Sequence, residues 1–186
     1  MDNPSNPPDW SALPTPVDDG AANHLPGRRV PSDPLKATDE QSVDLAGLDG
    51  LTVVYAYPRT GRPGEIMPPG WDMIPGARGC TPQACAFRDH FSELKALGVN
   101  QVFGLSTQDT TYQREAAQRL HLPFAMLSDA ELKFSDALRL PTFQISGATL
   151  LKRLTLILID GKIAHVFYPV FPPDRSVDEV MEWLSK

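Results

Sequence analysis

The sequence predicts an α/β fold in which helices flank a mixed central β-sheet. Short β-branched or apolar stretches alternate with amphipathic helical segments, as in domains built from strand–helix units. Near the C-terminus, two further apolar stretches enclose Asp160-Gly161, a dipeptide typical of tight β-hairpins. The hairpin adds antiparallel strands, so the predicted sheet is mixed.

Length and composition limit the class of protein. The chain has 186 residues, 41% hydrophobic and 22% charged, which suits one domain with a sizeable core. Two cysteines and four scattered histidines argue against a disulfide framework and against a zinc site. A net charge of −6 argues against nucleic-acid binding. Since no apolar run is long enough to span a bilayer and the N-terminus lacks a secretory signal, we expect a cytoplasmic protein that binds no membrane.

The N-terminal region is rich in proline and poor in large apolar side chains. Eight of the 19 prolines fall within residues 1–40. We therefore expect residues 1–17 to be a disordered tail, because such a segment buries too little apolar surface to offset its ordering entropy. The domain itself is expected to span residues 18–186, with a short hairpin near residues 39–43.

The remaining elements follow in order along the chain. Residues 51–57 are β-branched and aromatic with little polar alternation, which indicates a strand buried on both faces. Residues 58–79 contain ten Pro or Gly, and so long an irregular loop is usually functional or disordered. Periodicity predicts helices at 82–97, 110–120, 130–138 and from a Ser176/Glu179 capping box onward, and strands at 101–106, 124–127, 154–159 and 162–168. This order is compatible with a thioredoxin-like arrangement.

Both cysteines lie in one stretch, where the irregular loop meets a helix. Cys80 falls at the helix N-terminus, and there unpaired backbone N–H groups and the helix dipole favour a thiolate. Cys85 lies inside the helix, and ideal geometry places Cα atoms five residues apart at about 8.6 Å. A disulfide needs less than about 7 Å, so the pair can bond only if the first turns unwind. The residues alone leave open that both cysteines are inert, with Cys85 a small buried side chain.

The stretch Gly79-Cys80-Thr81-Pro82-Gln83-Ala84-Cys85-Ala86-Phe87-Arg88-Asp89 resembles the active-site sequence of the Q-type peroxiredoxins, or bacterioferritin-comigratory proteins, GCT-x-E-A-C-x-F-R-D. Three further segments resemble that family in the same order: 53–58, 104–106 and 153–160. The resemblance extends from about Asp18 to the C-terminus. It implies a thioredoxin-like fold and a thiol-dependent peroxidase that uses no metal or organic cofactor.

The resemblance also implies roles for individual residues. Cys80 would be the peroxidatic cysteine, Cys85 the resolving cysteine, and Arg153 the side chain that hydrogen-bonds the thiolate and the peroxide. Hydrogen peroxide or an organic hydroperoxide would oxidise Cys80 to a sulfenic acid, which would condense with Cys85 into an intrachain disulfide. Thioredoxin or a glutaredoxin-like dithiol protein would reduce that disulfide. The enzyme would be a monomer or a weak homodimer.

The loop before Cys80 departs from the family pattern. The family places Pro seven residues and Thr three residues before the peroxidatic cysteine, where this chain has Met73 and Ala77. We therefore expect an insertion at about residues 59–76, which leaves Pro58 at the strand end, where it would help to shield the pocket. Thr60 would then fold back and donate its hydroxyl to the thiolate. Gln83 also replaces the family's preferred Glu.

Two other functions stay open at this point. The first is a thioredoxin-like disulfide reductase, although such proteins favour the shorter CxxC spacing. The second is a non-enzymatic redox sensor that uses the two thiols to change a surface. A peroxide assay with a thioredoxin system separates them, because a reductase consumes no peroxide and a sensor is oxidised without turnover.

Overall fold

The computed structural model describes residues 8–186 of the chain. Nine strands are present in this part: β1 Leu35–Ala37, β2 Ser42–Val43, β3 Leu51–Ala56, β4 Val99–Ser106, β5 Met126–Ser128, β6 Thr142–Ile145, β7 Ala148–Leu151, β8 Leu154–Ile159 and β9 Lys162–Phe167. Seven of them form one sheet in the order β2-β1-β5-β4-β3-β8-β9, and β6 and β7 form a separate hairpin.

The main sheet is mixed, as the sequence predicts. The central strand β3 runs parallel to β4 and antiparallel to β8. The hairpin between β8 and β9 turns at Asp160 and Gly161, whose φ angles of 50° and 73° are those that such a tight turn requires. The β6–β7 hairpin was not predicted, although Ser146-Gly147, both at positive φ, is a turn signal.

Five α-helices accompany the sheet: α1 Cys80–Asp89, α2 Phe91–Ala96, α3 Thr110–Arg119, α4 Lys133–Leu138 and α5 Ser176–Leu184. The single helix predicted over residues 82–97 is wrong, because the chain leaves helical geometry at His90, with φ −101° and ψ 12°. The last helix begins at Ser176 as predicted, but the Ser176 side chain does not cap it. None of the helices in residues 8–186 is long and apolar enough to cross a bilayer.

Strand β3 is buried on both faces and separates two apolar clusters. Val53 and Tyr55 face a cluster that includes side chains of α1 and α5, whereas Val54 and Ala56 face a cluster that includes side chains of α4. The ring of Phe87 in α1 stacks on Tyr55 at a centroid distance of 4.5 Å and an interplanar angle of 6°. This contact fixes the C-terminal half of α1 against the sheet.

The N-terminal segment differs from the expected disordered tail. Residues 1–7 lie outside the described part of the chain, but Pro8 to Val17 are described and include a 3-10 turn at Trp10–Ala12. The Trp10 indole donates a hydrogen bond to Asp174, 164 residues away. The prediction of a disordered tail rested on the average composition of residues 1–17 and missed this anchor. One large aromatic side chain is enough to hold an otherwise polar segment.

The long loop before Cys80 is packed rather than unstructured. Trp71 begins a 3-10 turn and is only 5% exposed, and its ring lies 6.2 Å from that of Phe143 in β6. Arg59 pairs with Glu65, and Arg62 stacks over the ring of Tyr112 in α3. The loop is therefore fastened to the β6–β7 hairpin and to α3.

The stacking of Phe87 on Tyr55 leads to a stability prediction. We expect Phe87→Ala to lower the free energy of unfolding of the reduced protein by about 3–5 kcal/mol, since it leaves a cavity under α1. Urea unfolding followed by circular dichroism measures this change. Ile66→Ala, at a side chain that is 92% exposed, is the control and should change stability by less than about 0.5 kcal/mol. Equal effects of the two variants would contradict the packing described.

Candidate active site

Cys80 is the first residue of α1 and is only 4% exposed. Gly79 precedes it as the N-cap with φ 109°, a conformation that favours glycine. The Cys80 thiol lies 3.7 Å from the Ala77 carbonyl, to which it donates. This placement at the start of the helix is the one that the sequence predicted.

The Arg153 side chain reaches Cys80 from the start of β8. It is 3% exposed, and its Nη2 donates to the Cys80 Sγ at 3.2 Å. Its other acceptors are neutral: the carbonyls of Gly76 at 3.3 Å, Ala77 at 3.2 Å and Arg78 at 3.4 Å, and the side-chain oxygen of Gln83. Within residues 8–186 no carboxylate pairs with this guanidinium. The Cys80 thiolate is therefore the anion that can neutralise a buried positive charge.

Gln83 holds Arg153 in place, a role that the sequence analysis missed. Its Oε1 accepts from Arg153, and its Nε2 donates to the hydroxyl of Ser176 at 3.3 Å. The Ser176 hydroxyl also bonds Thr155 of β8 at 3.3 Å. The sequence analysis interpreted Ser176 as a helix cap because Glu179 follows it in a capping-box pattern. In the structure the Ser176 side chain is buried beneath α1. A departure from the family pattern at Gln83 was the signal that could have pointed to this network.

Cys85 is half-buried on α1 and, like Cys80, is a free thiol. Burial raises the pKa of the Cys85 thiol above its usual value, and the nearby Arg88 guanidinium opposes the rise only in part. Cys85 therefore stays protonated at neutral pH while the helix is folded. Since α1 is helical from Cys80 through Asp89, the two sulfurs cannot bond in this state.

Two tyrosines belong to the same apolar cluster as Cys80. Tyr55 and Tyr57 are almost fully buried, and burial raises the pKa of both hydroxyls well above the usual value. Both side chains therefore remain neutral at physiological pH. No tyrosinate competes with the thiolate for the charge of Arg153.

A cavity of about 1170 Å³ opens beside Cys80 and is lined largely by the loop at residues 59–76. Its wall includes Thr60, Met67, Trp71 and Arg119. Pro58 is buried but does not line this cavity, whose wall is formed largely by the loop that follows Pro58.

Thr60 lines the cavity but does not serve Cys80 in the way the sequence predicted. Its hydroxyl donates to the Gln108 side-chain oxygen at 3.3 Å, and Gln108 also bonds the Thr60 backbone N–H and carbonyl. No hydrogen bond joins Thr60 to Cys80 in the described residues. The partners of the thiol are the Ala77 carbonyl and Arg153 instead.

The residues that the structure describes contain no group of three or more His, Cys, Asp or Glu side chains placed to hold a metal ion. The chemistry at Cys80 that these contacts support is nucleophilic attack by a thiolate that a buried guanidinium stabilises.

Arg153 is expected to control the reactivity of Cys80. We predict that Arg153→Met slows alkylation of Cys80 by iodoacetamide at pH 7 by about tenfold, because one charge-assisted hydrogen bond to the thiolate is lost. Lys152→Met removes a positive charge from the neighbouring residue, which pairs with Asp19 at the surface, and should leave the rate unchanged. Similar rates for both variants would show that the guanidinium does not stabilise the thiolate.

Thr60 is expected to be dispensable for the reactivity of the thiol. We predict that Thr60→Val alkylates at Cys80 within about twofold of the wild-type rate, while the protein loses about 1 kcal/mol of stability with the Gln108 contact. The same alkylation assay, together with urea unfolding, measures both quantities. A tenfold slower reaction in a folded variant would restore the role that the sequence suggested.

Comparison with known proteins agrees with this geometry. Residues 25–182 match the Redoxin family. A chloroplastic peroxiredoxin Q from Populus jackii is 32% identical over 161 residues, which cover 86% of this chain and 67% of that protein. One from Suaeda salsa is 30% identical over 160 residues, with the same two coverages.

Solved structures agree in fold. A peroxidoxin, BcpB, from Mycobacterium tuberculosis matches with a TM-score of 0.68 and 24% identity, over 87% of this chain and 97% of that one. A structure concerned with alkyl peroxide reduction by the Xanthomonas campestris bacterioferritin comigratory protein matches with a TM-score of 0.65 and 18% identity, over 84% and 94%. The expected thioredoxin-like fold is thus confirmed. Together with the Cys80–Arg153 site, these matches place the chain in the Redoxin family as a Q-type peroxiredoxin.

Proposed function

We propose that this thiol-dependent peroxidase reduces hydrogen peroxide and organic hydroperoxides through Cys80 and recycles Cys80 through a disulfide with Cys85. The observation that carries the proposal is the contact between the buried Arg153 guanidinium and the Cys80 sulfur, at 3.2 Å, with no carboxylate on that arginine in the described residues. A cysteine in this setting is prepared to react as a thiolate.

The first step is an attack of the Cys80 thiolate on one peroxide oxygen. A sulfur–oxygen bond forms as the oxygen–oxygen bond breaks, and the second oxygen takes a proton and leaves as water or an alcohol. Sulfur is oxidised by two electrons to a sulfenic acid. The proposed role of Arg153, which contacts the Cys80 sulfur, includes donating to the peroxide oxygens and so stabilising the charge that builds up on them.

The second step joins the two cysteines. The Cys85 thiol attacks the sulfenic sulfur, the disulfide forms and water leaves. Because α1 holds both residues in one helix, its first turn must unwind before the sulfurs can meet. Unwinding also exposes Cys85, which removes the burial that raises its pKa and favours its thiolate.

The cavity beside Cys80 suggests the range of substrates. Its volume of about 1170 Å³ is far more than hydrogen peroxide needs, and its wall includes the apolar side chains of Met67 and Trp71. Organic hydroperoxides therefore fit the site, in line with the alkyl peroxide reduction described for the Xanthomonas protein. We propose that both kinds of peroxide are reduced.

A thioredoxin or glutaredoxin-like protein is the proposed electron donor, since a dithiol is needed to reopen the disulfide. The proposed location is the cytoplasm, where such donors are kept reduced, although the plant relatives above are named as chloroplastic. A monomer or a weak homodimer is the proposed assembly, because both reacting thiols and Arg153 come from one chain.

The function is tested by peroxide consumption in the presence of thioredoxin and its reductase. We predict that Cys80→Ser consumes no peroxide, whereas Cys85→Ser reacts with one equivalent and then stops at the sulfenic acid. Ala86→Ser adds a similar hydroxyl at the next helix position and keeps both thiols, so it should turn over like the wild type.

Three results would contradict the proposal. Continued turnover in Cys80→Ser would overturn the assignment of the attacking thiol. Wild-type protein that consumes no peroxide but exchanges disulfides would support a reductase. Wild-type protein that is oxidised once and is not reduced again by thioredoxin or glutaredoxin would support a redox sensor.

A further inference from the structure

Trp10 lies against the active-site loop, and the reaction steps above do not use it. Residues 8–17, here called the N-terminal strap, cross the loop that precedes Cys80. The Trp10 indole N–H donates to Asp174 at 3.1 Å, and its ring meets that of Phe171 edge-on at 6.1 Å. These contacts tie the strap to the segment that leads into α5.

The Trp10 ring is also in close contact with Gly79, the residue before Cys80. A Cβ atom at Gly79 would lie 2.7 Å from Cη2 of Trp10 and 2.7 Å from Cγ of Pro173. Gly79 is therefore enclosed between the strap and the 3-10 turn at Pro173–Arg175. No larger residue fits there without displacing one of the two.

A second strap residue, Pro16, lies beside Gly76 near the end of the same loop. A Cβ atom at Gly76 would lie 3.4 Å from Cγ of Pro16, and the Gly76 carbonyl accepts from Arg153. The strap thus meets both ends of residues 76–79, the segment that supplies Arg153 with its backbone acceptors.

We propose that Trp10 is a positioning residue that packs on Gly79, the residue before Cys80, and slows the unwinding of the first turn of α1. The inference rests on the proposed function, since it concerns the step between the sulfenic acid and the Cys80–Cys85 disulfide. Unwinding moves Gly79 away from Trp10, so the contact stabilises only the folded state of the turn.

The consequence is a choice between two fates of the Cys80 sulfenic acid. In the unwound state the Cys85 thiol attacks it, the disulfide forms and water leaves. In the folded state the sulfenate can attack a second peroxide, which breaks the oxygen–oxygen bond, gives the sulfinic acid and releases water or an alcohol. By favouring the folded state, Trp10 raises the share of sulfinic acid at high peroxide.

The test separates the rate of attack from the rate of resolution. In stopped-flow experiments with hydrogen peroxide, we predict that Trp10→Ala keeps the wild-type second-order rate of Cys80 oxidation, since Arg153 still contacts the sulfur. Disulfide formation should become about tenfold faster, because the Trp10 ring, which Asp174 and Phe171 hold against Gly79, no longer opposes unwinding. The peroxide concentration that converts half of Cys80 to sulfinic acid, measured by mass spectrometry, should rise by the same factor.

Two further variants make the result specific. Trp10→Phe keeps a ring near Gly79 but lacks the indole N–H, so disulfide formation should accelerate less than in Trp10→Ala. If Trp10→Ala does not fold, Trp10→Phe provides the test. Val17→Ala changes an 82% exposed residue of the same strap and should match the wild type in every rate.

The proposal is overturned if Trp10→Ala and Trp10→Phe both form the disulfide and the sulfinic acid at the wild-type rates. It is also overturned if the variants slow only the oxidation of Cys80 by peroxide. In either case the disulfide still forms and the proposed function stands. Failure of the wild type to form a Cys80–Cys85 disulfide with one equivalent of peroxide would instead remove the proposed function, and this inference with it.

Discussion

The Arg153 guanidinium is buried, and a buried positive charge is costly unless polar atoms surround it and an anion neutralises it. Three successive backbone carbonyls, from Gly76 to Arg78, and the Gln83 amide supply the polar atoms but no negative charge. The Cys80 sulfur is the remaining acceptor of the guanidinium, so a thiolate at Cys80 supplies the negative charge that the other acceptors lack. The conformation of the loop, the position of α1 and the reactivity of the cysteine all depend on this arrangement.

The same arrangement opposes the second half of the proposed catalytic cycle. Phe87 fixes the C-terminal half of α1 to the sheet, whereas the first turn is held by Arg153 and Gln83 and by the backbone bond from the Gln83 N–H to the Gly79 carbonyl. Bringing Cys85 to Cys80 breaks these bonds and leaves the Phe87 anchor in place. Strong stabilisation of the attacking state thus makes resolution slower, and the balance between the two is a property of the first turn.

Local patterns predicted the parts of the site that are encoded locally. The β-branched run at 51–57, the Asp160-Gly161 turn and Cys80 at a helix start could all be recognised from neighbouring residues. Gln83 and Ser176 are 93 residues apart, and nothing in either local sequence indicates that they meet under α1. The hydroxyl of Thr60 was assigned to the thiolate by analogy with the threonine of the family pattern, yet it donates to the side-chain oxygen of Gln108.

The proposed cycle requires that the first turn of α1 is folded for attack and unwound in the disulfide. Amide hydrogen exchange, read by mass spectrometry over residues 80–85 in the reduced and the oxidised protein, measures this directly. We predict that the Gln83 amide, bonded to the Gly79 carbonyl at 3.1 Å, is protected in the reduced protein and exchanges freely once the disulfide has formed, while the His90 amide, bonded to the Ala86 carbonyl at 3.1 Å, stays protected in both. Equal protection of residues 80–85 in the two states would contradict the account.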